Sequence, residues 1–485
     1  MKVRTRFAPS PTGFMHIGNL RTALYAYLYA KHNNGAFVLR IEDTDRERYV
    51  EGAVDLIYST LSQSGIQHDE GPDKDGGVGP YIQSERKQIY IDYAKKLVER
   101  GGAYYCFCSK ERLEGLTDAN GVRKYDKHCL SLSREQIEDK LKNNEPYVIR
   151  QNVPKEGVSE YEDMVYGKIS VDYADLEDNI LLKSDGMPTY NFANVIDDHL
   201  MNITHVIRGT EYLSSTPKYN LLYDSFGWAR PVYIHLPPIM KDATRKLSKR
   251  YGDANFNDFI EKGYLAEAII NYIALLGWSP KDNTEKLSMN RLIELFDVNG
   301  LNKSPAIFDE NKMKWLNGQY IRDLSEDDFY RLSIPYFEKS KVCGKYDYKL
   351  LAKLLHSRVE IFSEIPDKID FLEEYRADFD TEYYMHKKMK CDKTIAQACI
   401  KDAIDLLGEV DESAWNNDVL FKTLTESVEN KSYKKSALLW AVRIAITAVV
   451  NTPGGATEMA EILGKQKTLE RLTQAYEILY NTNSD

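Results

Sequence analysis

Thr5-Arg6-Phe7-Ala8-Pro9-Ser10-Pro11-Thr12-Gly13-Phe14-Met15-His16-Ile17-Gly18-Asn19 reads as a short strand, a loop broken by proline and glycine, and the opening of a helix. Beyond it, Leu20, Ala23, Leu24, Tyr27 and Leu28 recur at helical spacing and predict one apolar face. Asn33-Asn34-Gly35 supplies a left-handed stop, and Ala36 to Ile41 follows as a second strand. Strand, helix and strand in this span predict a βαβ unit, hence parallel strands in an open α/β sheet. Ligands of such sheets bind at the carboxyl ends of the strands. That rule brings the loop from Pro9 to Gly18 together with the acidic tip Glu42-Asp43-Thr44-Asp45.

A chain of 485 residues can hold two to four domains at roughly 100 to 200 residues each. With 43% hydrophobic residues and 34 tyrosines it has too much to bury for a disordered protein. The segment after Met1 is polar, and the longest apolar runs, such as Ala268 to Trp278, are too short to span a bilayer, so a cytoplasmic protein is expected. Six cysteines in so long a chain do not form a disulfide framework, and reduced thiols are expected. A net charge of −10 argues against general attraction to nucleic acid, but Lys241 to Arg250 carries five basic residues against one acidic.

From about Tyr104 to Asp185 the composition shifts, with clustered cysteines and strand-like pieces at Tyr147 to Val153 and Asn179 to Lys183, which reads as an insertion. Past about Leu324 amphipathic helical patterns dominate, as in Ala437 to Val450 and Met459 to Tyr480.

Two motifs carry chemistry. The loop from Pro9 to Asn19 delivers His16 and two glycines to a helix N-terminus, where backbone N–H groups and the helix dipole favour a phosphate. Lys246-Leu247-Ser248-Lys249-Arg250 is a second candidate for phosphate charge. Taken singly, a loop histidine is more often structural and a basic run more often a solvated face.

Together the two motifs resemble the His-Ile-Gly-His and Lys-Met-Ser-Lys-Ser signatures of class I aminoacyl-tRNA synthetases. Arg6-Phe7-Ala8-Pro9-Ser10-Pro11-Thr12-Gly13, Arg40-Ile41-Glu42-Asp43-Thr44-Asp45, Gln83-Ser84-Glu85-Arg86, Lys183 to Tyr190 and Asn194 to His199 are similar to motifs of bacterial glutamyl-tRNA synthetases. The first signature departs from the pattern in ending on Asn19, which leaves His16 as its only imidazole. The resemblance implies a Rossmann-like parallel sheet with an inserted α+β domain and an all-α anticodon-binding region. Its boundaries fall as a catalytic half (1–100), an inserted acceptor-end-binding domain (101–187), a second catalytic half (188–245), a signature-loop and stem-contact domain (246–323) and the helical anticodon region (324–485, with a break near 380).

The resemblance also implies roles. His16, Lys246 and Lys249 would be catalytic, and Pro9, Thr12, Gly13, His16, Gly18, Asn19 and Lys249 would hold ATP with its Mg²⁺. Arg6, Ala8, Ser10, Glu42, Tyr190, Asn194, Arg208 and Tyr212 would hold glutamate, with Arg6 and Arg208 on its side-chain carboxylate. Cys106, Cys108, Tyr125 and Cys129 are similar to a zinc knuckle, with His128 as another fourth donor and three free thiols as the alternative. Arg358 and Arg443 would read the anticodon, although Ala441-Val442-Arg443 replaces the usual Pro-x-Arg, and Lys431, Lys434 and Lys435 would meet phosphates. The partner would be tRNA(Glu), with tRNA(Gln) also open, and the enzyme a monomer. A shortened paralogue that glutamylates a modified tRNA base is disfavoured, since the chain runs some 235 residues beyond Arg250.

Overall fold

The computed structural model describes residues 2–45, 48–116, 125–247 and 255–482. Its contacts divide the chain into two compact units, residues 1–261 with 266–313, and residues 262–265 with 314–485.

In the first unit the opening segment forms β1 (Arg4–Phe7), α1 (Ile17–His32) and β2 (Ala36–Leu39), with β1 and β2 parallel and in register from Arg4 opposite Ala36 to Phe7 opposite Leu39. The turn into β2 works through two adjacent residues. Asn34 takes the left-handed conformation at φ 52°, and Gly35 approaches β1 so closely that a Cβ there would sit 2.3 Å from the carbonyl oxygen of Val3. The predicted apolar face of α1 is buried, but so are Ile17, Tyr25, Ala26 and Ala30 on its other sides. This helix is therefore covered all round, because the sheet packs on one side and the helices Ala266–Leu275 and Met289–Leu295 pack on the other. Tyr25 Oη meets the second layer directly, donating to the carbonyls of Ala274 and Leu276 at 3.0 Å. Full burial of Leu20, Leu24 and Leu28 stabilises this arrangement by roughly 1.5 to 3 kcal/mol per side chain.

The middle of the chain builds two further sheets. Strands β3 (Ala103–Cys106), β4 (Val148–Gln151) and β7 (Ile180–Leu182) form an antiparallel sheet. The hairpin of β5 (Val158–Asp163) and β6 (Gly167–Asp172) does not join them, although it lies between them in sequence. It extends a different sheet, in the order β6-β5-β9-β8, where β8 is His205–Gly209 and β9 is Val232–Leu236. The last residue of β5, Asp163, pairs in parallel with Tyr233 of β9. A backbone bond from Thr204 N–H to the Arg4 carbonyl at 3.0 Å ties the residue ahead of β8 to β1. The carboxyl ends of β1 and β8 thus open on one face.

The second unit is helical, with no strand among its described residues. One core runs through it, from Phe329 and Leu355 through Ile400 and Leu407 to Ala441, Met459 and Leu472. Helices Lys435–Thr447 and Ala456–Thr482 occupy the regions where helical spacing was read, and the second is kinked at Gly464. Among the described residues, no helix of either unit is long and apolar enough to cross a membrane.

Candidate active site

A pocket of about 640 Å³ opens where β1, β2 and β8 end. Of the residues expected at glutamate, Arg6, Ala8, Ser10, Glu42, Tyr190, Arg208 and Tyr212 line it; of those expected at ATP, Pro9, Thr12 and Asn19 do. The Pro9 loop and the acidic tip are joined by a bond from Glu42 N–H to the Pro9 carbonyl at 3.0 Å. Gly13, His16, Gly18, Asn194 and Lys246 are not on its wall. His16 caps α1, and its Nδ1 accepts from Gly18 N–H at 3.0 Å, which assigns the ring proton to Nε2. Asn194 is buried beside the pocket residues of its own helix, Tyr190–Leu200. Lys246 is exposed and bridges to Met240, while Lys249 falls outside the described residues.

Beneath the pocket lies a charge network that the sequence reading did not assign. Arg40 is fully buried and donates to Asp198 at 2.8 Å and to Glu42 Oε1 at 3.1 Å. Arg6 Nε reaches the same Asp198 oxygen at 3.1 Å. Arg86 and Gln83 hold Asp197 at 2.7 and 2.9 Å, and Tyr90 Oη donates to it at 2.9 Å. Three guanidinium groups thus face three carboxylates, and buried charges persist only when matched in this way. Burial alone would raise the pKa of Asp198, but Arg6 and Arg40 outweigh it and hold the carboxyl below its usual range. For Glu42 burial wins over Arg40 and Arg6 and pushes the pKa up to about 7. Among the described residues, the side-chain hydrogen bonds to the Glu42 carboxylate, from Arg40 and from Gln83, both fall on Oε1, which leaves Oε2 for the pocket.

Arg208 is set differently. It is 6% exposed, yet among the described residues it has no carboxylate partner. Its Nη2 donates to Thr216 Oγ1 at 2.7 Å and its Nε to His235 Nε2 at 3.1 Å. The rings of Tyr212, Tyr219 and Tyr233 stand 5.2, 4.8 and 5.4 Å from the guanidinium carbon. Tyr190 and Tyr212 lie with ring centroids 5.4 Å apart.

Away from the pocket, the sulfur atoms of Cys106, Cys108 and Cys129 lie within 4.8 Å of one another. Tyr125 Oη is 3.3 Å from Cys106 Sγ and 3.4 Å from Cys108 Sγ, whereas His128 is exposed. In the second unit, Arg443 stacks on Trp440 at 4.6 Å in a largely apolar pocket of about 560 Å³ that also includes Phe421. Lys435 lies over Phe421, Lys431 is paired with Asp402 at 2.9 Å, and Arg358 is paired with Glu458 at 3.1 Å.

A parallel sheet whose strand ends gather a proline-glycine loop, a helix N-terminus and buried arginines is the arrangement expected of a class I aminoacyl-tRNA synthetase, and the family match places the chain in that class. Residues 2–315 match the family "tRNA synthetases class I (E and Q), catalytic domain", and residues 328–476 match "Anticodon binding domain". The glutamate–tRNA ligase of Clostridium botulinum (strain Eklund 17B) is 56% identical over 483 residues, covering 99% of each chain, and that of Clostridium acetobutylicum is 55% identical, covering 97% of each. The crystal structure of a glutamate tRNA ligase from Elizabethkingia meningosepticum in complex with its amino acid superposes with a TM-score of 0.88 at 34% identity, covering 99% of this chain and 100% of that one. The chain belongs to the glutamate–tRNA ligase family.

Proposed function

We propose the residues by which this chain carries out its family's reaction, the ATP-dependent attachment of L-glutamate to tRNA(Glu) through a glutamyl-adenylate. The carboxylate next to the substrate's amino group attacks the α-phosphate of ATP in line; an O–P bond forms, the bond to pyrophosphate breaks, and pyrophosphate leaves. A ribose hydroxyl of the terminal adenosine then attacks the acyl carbon and AMP departs. No protein nucleophile is required.

The observation that carries the assignment is Arg208, a buried guanidinium at the pocket wall with no carboxylate partner among the described residues. It is suited to a side-chain carboxylate, and an amide would leave its charge unmatched. Arg6 lines the same wall and serves as the second cation, Glu42 holds the substrate ammonium with Ser10 and the Ala8 backbone, and Tyr190 and Tyr212 close the sides. Asn194 supports this wall from behind. ATP lies along Pro9, Thr12, Gly13, Gly18 and Asn19, bringing its Mg²⁺ as part of the substrate. His16, with its Nε2 proton, addresses the α-phosphate region, and Lys246 and Lys249 neutralise the outgoing phosphates.

The inserted range 101–187 binds the acceptor end, and residues 246–323 meet the stem. Cys106, Cys108, Cys129 and Tyr125 form a donor set that suits Zn²⁺, which would hold two chain segments together there. In the helical region 324–485, which divides near 380, unstacked anticodon bases lie on Phe421 and are read by Arg443. Lys434 and Lys435 meet the backbone, and Lys431 reaches it only by leaving Asp402. Arg358 must likewise leave Glu458 to contact a base. The enzyme acts as a cytoplasmic monomer.

The test is charging of purified tRNA(Glu) and tRNA(Gln) with labelled glutamate, repeated with Arg208→Ala. The wild type should charge tRNA(Glu), and the variant should lose glutamate use far more than ATP use. Charging of tRNA(Gln) as well would mark a non-discriminating enzyme and remove Arg358 from anticodon selection. An unchanged KM for glutamate in Arg208→Ala would remove Arg208 from the pocket's chemistry.

A further inference from the structure

Behind Arg208 stand two buried groups to which neither the mechanism nor the sequence reading gave work. His235 and Asp163 are both buried, His235 on β9 and Asp163 at the end of β5. His235 Nδ1 lies 2.7 Å from Asp163 Oδ2, which also accepts the His235 backbone N–H at 3.1 Å. The other oxygen of Asp163 accepts from Val165 and Tyr166 N–H, both at 2.9 Å. On its far side the imidazole meets Arg208 Nε at 3.1 Å.

These contacts fix the ring. An arginine Nε can only donate, so His235 Nε2 must accept, and the single ring proton sits on Nδ1 facing Asp163. An imidazolium here would turn a second N–H toward the guanidinium. Burial also disfavours the charged ring. The arrangement explains how Arg208 stays uncompensated. Arg6 and Arg40 touch Asp198 directly, but between Arg208 and Asp163 a neutral ring is interposed. Arg208 is held by a lone pair, a hydroxyl and three aromatic rings, none of which cancels its charge.

We propose that His235, held in its Nδ1–H tautomer by Asp163, is a positioning residue that aims Arg208 into the pocket while separating it from the acid, which reserves the guanidinium for the substrate's side-chain carboxylate and disfavours glutamine. The proposal rests on the reading of Arg208 as the glutamate-binding cation.

Glutamine and asparagine at position 235 separate the two halves of the relay. An amide oxygen of His235→Gln reaches the place of Nε2 and accepts from Arg208, whereas His235→Asn reaches only the place of Nδ1 and leaves Arg208 Nε unmatched. KM for glutamate and for ATP, the preference for glutamate over glutamine, and the melting temperature are measured for both variants and for Arg208→Ala. His235→Gln should stay within about threefold of wild type, while His235→Asn should raise KM for glutamate roughly tenfold or more and lower the preference, with KM for ATP unchanged. Equal glutamate kinetics and preference in the two variants, with Arg208→Ala impaired, would overturn the relay and leave the pocket reading standing. An unimpaired Arg208→Ala would instead overturn the pocket reading itself. A second test needs no variant: in ¹⁵N-histidine-labelled wild-type protein, one neutral Nδ1–H imidazole should respond to added glutamate, and the absence of any such ring would overturn the proposal.

Discussion

Arg6 and Arg40 share a single carboxylate oxygen: Oδ1 of Asp198 lies 3.1 Å from Arg6 Nε and 2.8 Å from Arg40 Nη1. One arginine of the pocket wall is therefore oriented by the same acid that holds the Glu42 partner in place. Asp198→Asn keeps the shape but leaves the buried cluster with one excess positive charge. It should lower stability by about 3 to 5 kcal/mol, as read in denaturant unfolding, and raise KM for glutamate through misplacement of Arg6. An unfolding midpoint within error of wild type would show that solvent or a neighbouring group takes over the role of Asp198.

The pKa of Glu42, about 7, gives glutamate binding a pH dependence. The ammonium of the substrate needs the carboxylate form, so KM should rise as pH falls below about 7, approaching tenfold per unit well below that value. Stability runs the opposite way. The native state holds this proton to a higher pH than the unfolded chain, whose carboxyl titrates near 4.5, so the contribution of Glu42 to stability declines between about 4.5 and 7. Glu42→Gln should raise KM and flatten its pH profile; a profile of unchanged shape in that variant would assign the titration to another group.

The two lysines of the basic loop should separate. Lys249→Ala should cut adenylate formation by about two to three orders of magnitude with the fold intact, since a cation that meets charge developing on departing pyrophosphate acts mainly in the transition state. Lys246 is exposed and bridges to the strand Ile239–Met240, so Lys246→Ala should have the smaller effect. Single-turnover rates with pre-bound tRNA measure both, and near wild-type rates in Lys249→Ala would exclude it from the step.

What could be read from the chain was local. The βαβ unit rested on spacings within about forty residues, and Arg6 and Glu42 stood inside recognisable motifs, whereas Arg208 lay between motifs and was named only through the family resemblance. The charge network was not read because its partners are far apart: Arg40 and Asp198 are 158 residues apart, Arg86 and Asp197 are 111. Arg40, Arg86, Asp197 and Asp198 all stood in those motifs, but nothing in their spacing said which acid faced which base. His235 and Asp163, 72 residues apart, were missed for a further reason. Their meeting depends on β5 leaving the sheet of its sequence neighbours to pair with β9, and a single registered pair, Asp163 with Tyr233, marks that junction. The burial of α1 on all sides was likewise invisible, because helical spacing records one face and the second layer came from residues 266–295.

The thiol cluster offers a prediction that is independent of the pocket. Cys106 ends β3, Cys108 follows it, and Tyr125 and Cys129 come from a separate segment, so a metal ion bound by all four would tie the segments together. In its absence, three thiols this close make only weak contacts, such as the 3.5 Å approach of Cys108 Sγ to Cys129 Sγ. Purified protein should contain about one zinc per chain by elemental analysis. Cys129→Ser should lose it and become more sensitive to proteolysis within residues 101–187. Because the cluster contributes no residue to the pocket wall, glutamate and ATP binding should persist in that variant, while the KM for tRNA rises if the inserted range holds the acceptor end. Zinc-free wild-type protein with the same KM for tRNA and the same proteolysis would reduce the cluster to three buried thiols.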